Sequence, residues 1–513
     1  MNYDKYFYKD HLKSDLKKKA VHGAGAVVFG RIAAYAIQLV GTIILARLLT
    51  PSDFGLVAMV AVISNIIIEF GTLRLAEATI QEEHINHSKI STLFWINVIL
   101  CLTLTLLVIS LAPMVAWFYD EPRLTSITMV VAVGFVFTGL SIQHLALLQR
   151  NMRFGRFALT QIMAVLLREC VAIILALRGW GYWALVARHL VFPMGMAVGA
   201  WLFCGWRPGW PARHSCVGPM LKFGINSLGN YTTTYVTRSL DKVLIGWKLG
   251  APLLGFYDRA YHLFVMPVHQ LISPLTSVAV ATLSRLRNDP DRYRSYYLNA
   301  VSMLAFVGMA FSLVLLLVGK DLIRLLLGSQ WDKAGEIFSV LGPAIGIMLI
   351  YRTHGWLHLS LGRADRYFRW GLVAMVVTIF LFLVGLFFGM MGVAVAYSIS
   401  FYVLIGPGLS YAGKPIHLGF YEIFSVIWRY FTGAIASGII YWSTTNLVSL
   451  TAGTYANFNV IERISATSVF TILLYMFFVM LLHGSVKPMT QFISLLQEVC
   501  PYCLTKKRED VLM

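Results

Sequence analysis

Residues 230–250 read NYTTTYVTRSLDKVLIGWKLG, and near the centre of this stretch stand Arg238, Asp241 and Lys242. On a helix of 3.6 residues per turn, Asn226, Asn230, Thr234, Thr237 and Asp241 fall on one stripe with Arg238 beside it. Leu228, Val236, Leu240 and Val243 fall on the opposite side. An ionised side chain at the centre of a bilayer costs about 2.5–3.5 kcal/mol on insertion scales, so such groups persist there only when paired or facing water. Asp241 can neutralise either cation but not both, which leaves a positive charge over.

The pattern recurs along the chain. Arg31, Tyr35, Gln38 and Thr42 form a second helical stripe, and Asn65, Glu69, Arg74 and Glu77 mark another apolar run. Arg168–Glu169, Arg188–His189, Asp258–Arg259 and Arg352 with His354 complete the set. Cations outnumber carboxylates, so the chemistry on offer is the holding of an anion. The planar guanidinium fork matches phosphate oxygens two at a time, which favours a phosphate or diphosphate. The expected cavity lining is Arg31, Tyr35, Gln38, Asn230, Thr234, Arg238, Asp241, Lys242, Arg259 and Arg352, with Asp241 and Glu69 as acids able to couple an ion. Lys242, Arg259 and Arg352 fit a packed ion pair equally well. Arg168–Glu169 and Glu69–Arg74 read first as structural pairs or interface snorkels, and His354 reads as a packed histidine.

The elements that carry these groups follow from composition. Of 513 residues, 58% are hydrophobic and 13% charged, about half the charged share of a soluble protein, and the mean hydropathy is +0.71. Apolar runs of about twenty residues recur from end to end, too long and continuous for barrel strands, so the chain is expected to be an all-α polytopic membrane protein. Fourteen spans are expected, near 24–48, 54–79, 91–118, 125–149, 158–177, 182–204, 221–249, 256–283, 297–319, 335–360, 369–389, 391–412, 425–446 and 464–483.

Lys and Arg set the orientation. The first twenty residues carry Lys5, Lys9, Lys13, Lys17, Lys18 and Lys19, and alternate loops carry clusters such as Arg150, Arg153 and Arg156 or Arg285, Arg287, Arg292 and Arg294. The intervening loops are poor in both, so both termini are expected in the cytoplasm. The net charge of +18 is then a cytoplasmic-face charge facing anionic lipid, with no nucleic acid implied. No cleavable signal peptide is expected. Cys500-Pro-Tyr-Cys503 matches a redox motif, but that chemistry needs a strand before it and a helix after it, and here only ten residues follow. A reduced cytoplasmic tail is expected instead, with no metal or cofactor.

An internal repeat organises the spans. Leu45–Leu56, LARLLTPSDFGL, parallels Ile245–Phe256, IGWKLGAPLLGF, at an offset of 200 residues. Arg150–Phe157 parallels Arg363–Trp370, and Gly181–Val186 parallels Gly392–Tyr397. The expected division is a basic N-terminus over 1–20, an N-lobe of six spans over 21–205, a C-lobe of six over 206–412, two further spans over 413–484 and a tail over 485–513. Parallel repeats of this kind usually make pseudo-symmetric lobes that work by alternating access, here around a hydrated cationic cavity.

The segments Leu45–Gly55, Glu69-Phe-Gly71, Ile80-Gln81, Ser91–Asn97 and Gln149–Phe154 resemble the Wzx-type polysaccharide flippases of the multidrug/oligosaccharidyl-lipid/polysaccharide exporter superfamily. That resemblance implies transport of undecaprenyl-diphosphate-linked oligosaccharide units across the bacterial cytoplasmic membrane, for capsule, exopolysaccharide or O-antigen synthesis. It also implies basic cavity residues that hold the diphosphate, and partners that include membrane lipids, a polysaccharide polymerase and export machinery. The motif GxxxxGK[ST] of ATP-binding loops is absent from the sequence. A cation-coupled multidrug exporter is the alternative, but it calls for an acidic pocket. A polymerase or ligase would carry a large catalytic outer loop, and the longest expected here, about Asn446–Arg463, is short and nearly uncharged.

Overall fold

A computed structural model of the chain describes residues 16–82, 84–212, 217–452, 459–486 and 488–490. The described residues form helices joined by short turns, with no strand among them. Two compact units divide the chain, Met1–Arg259 and Ala260–Met513.

The first unit is built from α1 (Leu16–Leu48), α2 (Pro51–Thr72), α3 (Leu75–Gln81), α4 (His87–Tyr119), α5 (Arg123–Arg150), α6 (Phe154–Leu177), α7 (Tyr182–Cys204) and the start of α8 (Gly218–Arg285). The Thr-Pro-Ser-Asp segment starts α2 by standard capping chemistry. The Thr50 hydroxyl accepts from the Asp53 amide at 3.3 Å, the Asp53 carboxylate accepts from the Thr50 amide at 2.9 Å, and Pro51 takes a first-turn place where no amide is needed.

The second expected span is broken between α2 and α3, because Leu73 and Arg74 both take the left-handed conformation. Neither is glycine, so no local signal marks the break. Carbonyls freed in a membrane helix must find donors. Asn97 on α4 supplies them, its side-chain amide reaching the carbonyls of Gly71 at 3.3 Å and Thr72 at 3.2 Å. Gln143 on α5 donates to the Asn97 side-chain oxygen at 3.0 Å and accepts from the Thr79 hydroxyl at 2.9 Å. Arg150 closes α3 by donating to the carbonyls of Thr79, Ile80 and Glu82. Asn97→Leu strands these carbonyls and is expected to destabilise the protein by about 1–3 kcal/mol; an unaltered melting temperature of the purified variant in detergent would contradict the network.

Gly250 interrupts α8 with φ 81° and ψ 177°, outside helical space and open to glycine at no steric cost. The 68 residues of α8 are thereby divided at the seam between expected spans seven and eight. The arm that follows the bend crosses the first turn of α2 backbone against backbone. A Cβ on Gly55 would overlap the carbonyl oxygen of Ala251, and a Cβ on Gly255 would overlap that of Pro51. These positions are related by the repeat offset of 200, so the contact is reciprocal: 55 meets 251 and 255 meets 51.

The second unit holds the rest of α8, then α9 (Pro290–Leu327), α10 (Asp332–Leu341), α11 (Ala344–Arg352), α12 (His354–Ser360), α13 (Ala364–Leu386), α14 (Gly389–Gly413), α15 (Phe420–Ala452) and α16 (Val460–His483). Its core packs Tyr293, Tyr297, Val301, Met309, Trp356, Leu409 and Tyr475. The tenth expected span is a bent pair, Ser329–Leu341 and Ala344–Ser360, meeting at 52° where Gly342 and Pro343 interrupt the ladder. Buried hydroxyls are paired there: Tyr297 with Thr353 at 2.7 Å and Tyr293 with Ser360 at 2.6 Å.

The chain is all-α and polytopic, as the apolar runs indicate. By length and apolarity, eleven of the described helices can cross a membrane, twelve with the bent pair, against the fourteen expected. The two expected spans missing from that number fall in α8. Cys101 and Cys204 are buried, and Cys170 is exposed. The Cys500–Cys503 motif, the basic residues over 1–15 and the tail beyond 490 lie outside the described residues.

Candidate functional site: a buried, cation-rich cluster in the first unit

The bend of α8 gathers charges that are sixteen residues apart in sequence. Asp241, before the bend, is fully buried. Its carboxylate accepts from the Tyr257 hydroxyl at 2.7 Å and from the Lys242 amide at 2.8 Å. The Lys242 ammonium reaches across to Asp258 at 2.7 Å, and Arg259 meets the other oxygen of Asp258 at 2.5 Å. The Arg259 guanidinium also lies 4.7 Å from the ring centre of Phe54 on α2, within cation–π range. Before the bend, the Tyr235 hydroxyl donates to the Val62 carbonyl at 2.9 Å, which ties the first arm of α8 to α2.

A second knot lies on α6 and α7. One oxygen of Glu169 accepts from Arg168 at 3.0 Å and from two nitrogens of Arg188 at 3.1 and 2.8 Å. Arg188 further donates to the Thr42 hydroxyl on α1 at 3.0 Å. Glu169 is 3% exposed, and α1 passes it so closely that a Cβ on Gly41 would overlap its second oxygen. Arg259 lies within electrostatic reach of Arg188 and, with Asp258, of His189. Together the two knots hold Arg168, Arg188, Lys242 and Arg259 against Glu169, Asp241 and Asp258, an excess of cations. Three polar atoms in them are buried without a hydrogen-bond partner: Arg168 Nη2, Arg259 Nε and Glu169 Oε2.

Of the residues expected from sequence, Asp241, Lys242 and Arg259 meet in this cluster. Tyr35 and Gln38 are half-buried on α1 and Arg31 is exposed; their stripe joins the cluster through Thr42. The side chains of Asn230, Thr234 and Arg238 lie outside the described residues. Arg352 belongs to the second unit, half-buried at the end of α11. Glu69 stands at the α2–α3 break, 3.9 Å from Arg74. Arg168, Glu169 and Arg188 were not expected in the site, because the decisive pairing joins two spans 19 residues apart. The signal was the coincidence of Arg–Glu in one span with Arg–His in the next.

The profile of the family described as polysaccharide biosynthesis protein matches residues 44–336, more than half of the chain. The chain belongs to this family. Among curated relatives, the lipopolysaccharide biosynthesis protein WzxC of Escherichia coli (strain K12) is 23% identical over 360 residues, covering 69% of this chain and 72% of WzxC. The succinoglycan biosynthesis transport protein ExoT of Rhizobium meliloti (strain 1021) is 24% identical over 364 residues, 70% of this chain and 73% of ExoT. The resemblance to Wzx-type proteins thus extends across most of both partners. Among solved structures, the lipid II flippase MurJ in an inward closed conformation shares the fold with a TM-score of 0.71 at 13% identity, over 90% of this chain and 99% of MurJ. An inward-facing multidrug resistance MATE family transporter of the MOP superfamily follows at 0.57 and 14%, over 75% of this chain and 98% of the transporter.

Membership of the polysaccharide biosynthesis family gives the quoted motifs a structural meaning. Thr50–Gly55 caps α2 and forms the crossing with α8, Asn97 holds the broken span, and Arg150 closes α3. In this chain these motifs build the first unit.

Proposed function

We propose that this protein carries undecaprenyl-diphosphate-linked oligosaccharide repeat units from the inner to the outer leaflet of the bacterial cytoplasmic membrane, by alternating access, and that it is not an enzyme. One observation carries the reading within the family: a buried cluster with more cations than carboxylates, in which Arg168 Nη2 and Arg259 Nε have no partner. Buried guanidinium N–H groups left open are costly, and phosphate oxygens are strong acceptors for them. The proposed path takes in Arg31, Tyr35 and Gln38 on α1, Asp241, Lys242 and Arg259 on α8, the expected Asn230, Thr234 and Arg238, and Arg352. Asp241 within the cluster and Glu69 outside it are acids able to couple an ion. The division into an N-lobe over 21–205 and a C-lobe over 206–412, two cytoplasmic termini, and hand-over to a polymerase and export machinery belong to the same proposal. The MATE likeness is one of fold, and the cationic excess favours an anionic substrate over the cationic drugs of the multidrug alternative.

The test is a deletion strain complemented with Lys242→Gln or Arg259→Gln. Each removes a charge-assisted contact, and export of surface polysaccharide is expected to fall about tenfold. Lipid-linked units should accumulate on the cytoplasmic leaflet while the variants insert at wild-type levels. Normal export from both variants would refute the substrate reading.

A further inference from the structure

Glu169 is the most constrained acid in the cluster, and its two oxygens are treated very differently. Oε1 accepts all three hydrogen bonds from Arg168 and Arg188, whereas Oε2 is buried against the α1 backbone at Gly41 without a partner. Asp241 offers a contrast, since both of its oxygens accept a hydrogen bond. The groups facing Glu169 are Arg168 on its own helix, Arg188 on α7 and the Gly41 backbone on α1, and Arg188 also donates to the Thr42 hydroxyl. His189, Arg259 and Asp258 lie in electrostatic reach of the Arg188 side. Helix α5 also packs on α6.

We propose that Glu169 is a proton-binding site that couples anion binding by Arg168 and Arg188 to proton uptake, deepening the transport reading on which it rests. In the resting structure both guanidiniums donate to Glu169 Oε1, and Arg168 keeps only Nη2 open. A phosphate group competes for the same N–H donors. Once it takes them, Glu169 is left as a buried carboxylate without compensation, a state costing several kcal/mol. A proton from water forms the O–H bond at Oε2, the oxygen already free, and removes that cost. The charge balance is then restored: one proton enters with the anion. By linkage, protonation strengthens anion binding as much as the anion strengthens protonation. The proton is acquired on anion binding and lost again on release.

The test uses the full-length protein in detergent micelles, with an undecaprenyl-diphosphate-linked sugar as probe, because a diphosphate esterified at both ends does not itself titrate near neutral pH. Affinity is expected to rise as pH falls from about 8 to about 6, approaching tenfold per unit for a single linked proton. In weak buffer with an indicator dye, the wild-type protein should take up a fraction of a proton, rising toward one, per probe bound. Glu169→Gln should bind with a flat pH profile and no proton uptake, and Glu169→Asp should restore the dependence. Proton uptake and pH dependence retained by Glu169→Gln overturn the coupling role while leaving the substrate reading intact. Absence of proton uptake by the wild-type protein overturns it without need of any variant. A folded wild-type protein that fails to bind the probe at every pH overturns the substrate reading itself, and the coupling with it.

Discussion

Gly255→Val is expected to abolish accumulation of folded protein. The Cβ position at residue 255 overlaps the carbonyl oxygen of Pro51, and the amide nitrogen of Gly55 lies 3.2 Å from it. Both are backbone atoms, so no rotamer change relieves the overlap. Ordinary overpacking costs about 1–3 kcal/mol, and here relief requires separating two helices that also carry the Phe54–Arg259 contact. The cost should exceed that range and approach the whole stability of a typical domain, about 5–15 kcal/mol. Gly55→Val should behave alike, because its own Cβ meets the Ala251 carbonyl. The checking measurement is the monodisperse peak in size-exclusion chromatography of a fluorescent fusion. Gly155→Val and Gly371→Val serve as controls, since a Cβ at either position meets nothing within 4 Å. Equal peaks from Gly255→Val and Gly371→Val would mean that the helices do not cross as described.

Asp258→Ala is the second large effect. Asp258 is 2% exposed and shares its two oxygens between Lys242 and Arg259. Removing one member of a buried ion network strands the others, at about 3–5 kcal/mol. The loss should appear as a lower melting temperature in detergent. It should be partly recovered in Asp258→Ala with Lys242→Met, which deletes one stranded cation and keeps its volume. Polysaccharide export should stay low in both, because the recovered variant regains packing without regaining its charge. A double variant no more stable than Asp258→Ala alone would show that the two residues are not energetically coupled.

The helical architecture was legible because apolar runs of membrane length leave few alternatives. The bend near residue 250 was legible too, as the seam between two expected spans and as one end of a repeat match. Two breaks were not. Leu73 and Arg74 adopt left-handed geometry because Asn97, 23 residues further on, supplies donors to the freed carbonyls of Gly71 and Thr72. A long-range hydrogen bond of this kind leaves no local trace. The break before Ala344 had Gly342 and Pro343 as signals, but the surrounding apolarity ran through them. The site divided in the same way. Asp241 and Lys242 were visible as charges on a stripe, yet their partners Tyr257 and Asp258 come from beyond the bend. Glu169 and Arg188 each looked like half of a local pair, and only the packing of α6 on α7 makes them partners. The family motifs were visible, whereas their service to the fold depended on contacts between helices.

An unbroken helix of 68 residues would measure about 100 Å, three times the depth of a hydrocarbon core. Gly250 makes two shafts of it, and the Tyr257–Asp241 and Lys242–Asp258 bonds are rivets set on either side of the elbow. Where fasteners are themselves charged, whatever competes for them also slackens the joint. An anion that drew Lys242 away from Asp258 would be felt as torque along both shafts, so occupancy and articulation share one set of atoms.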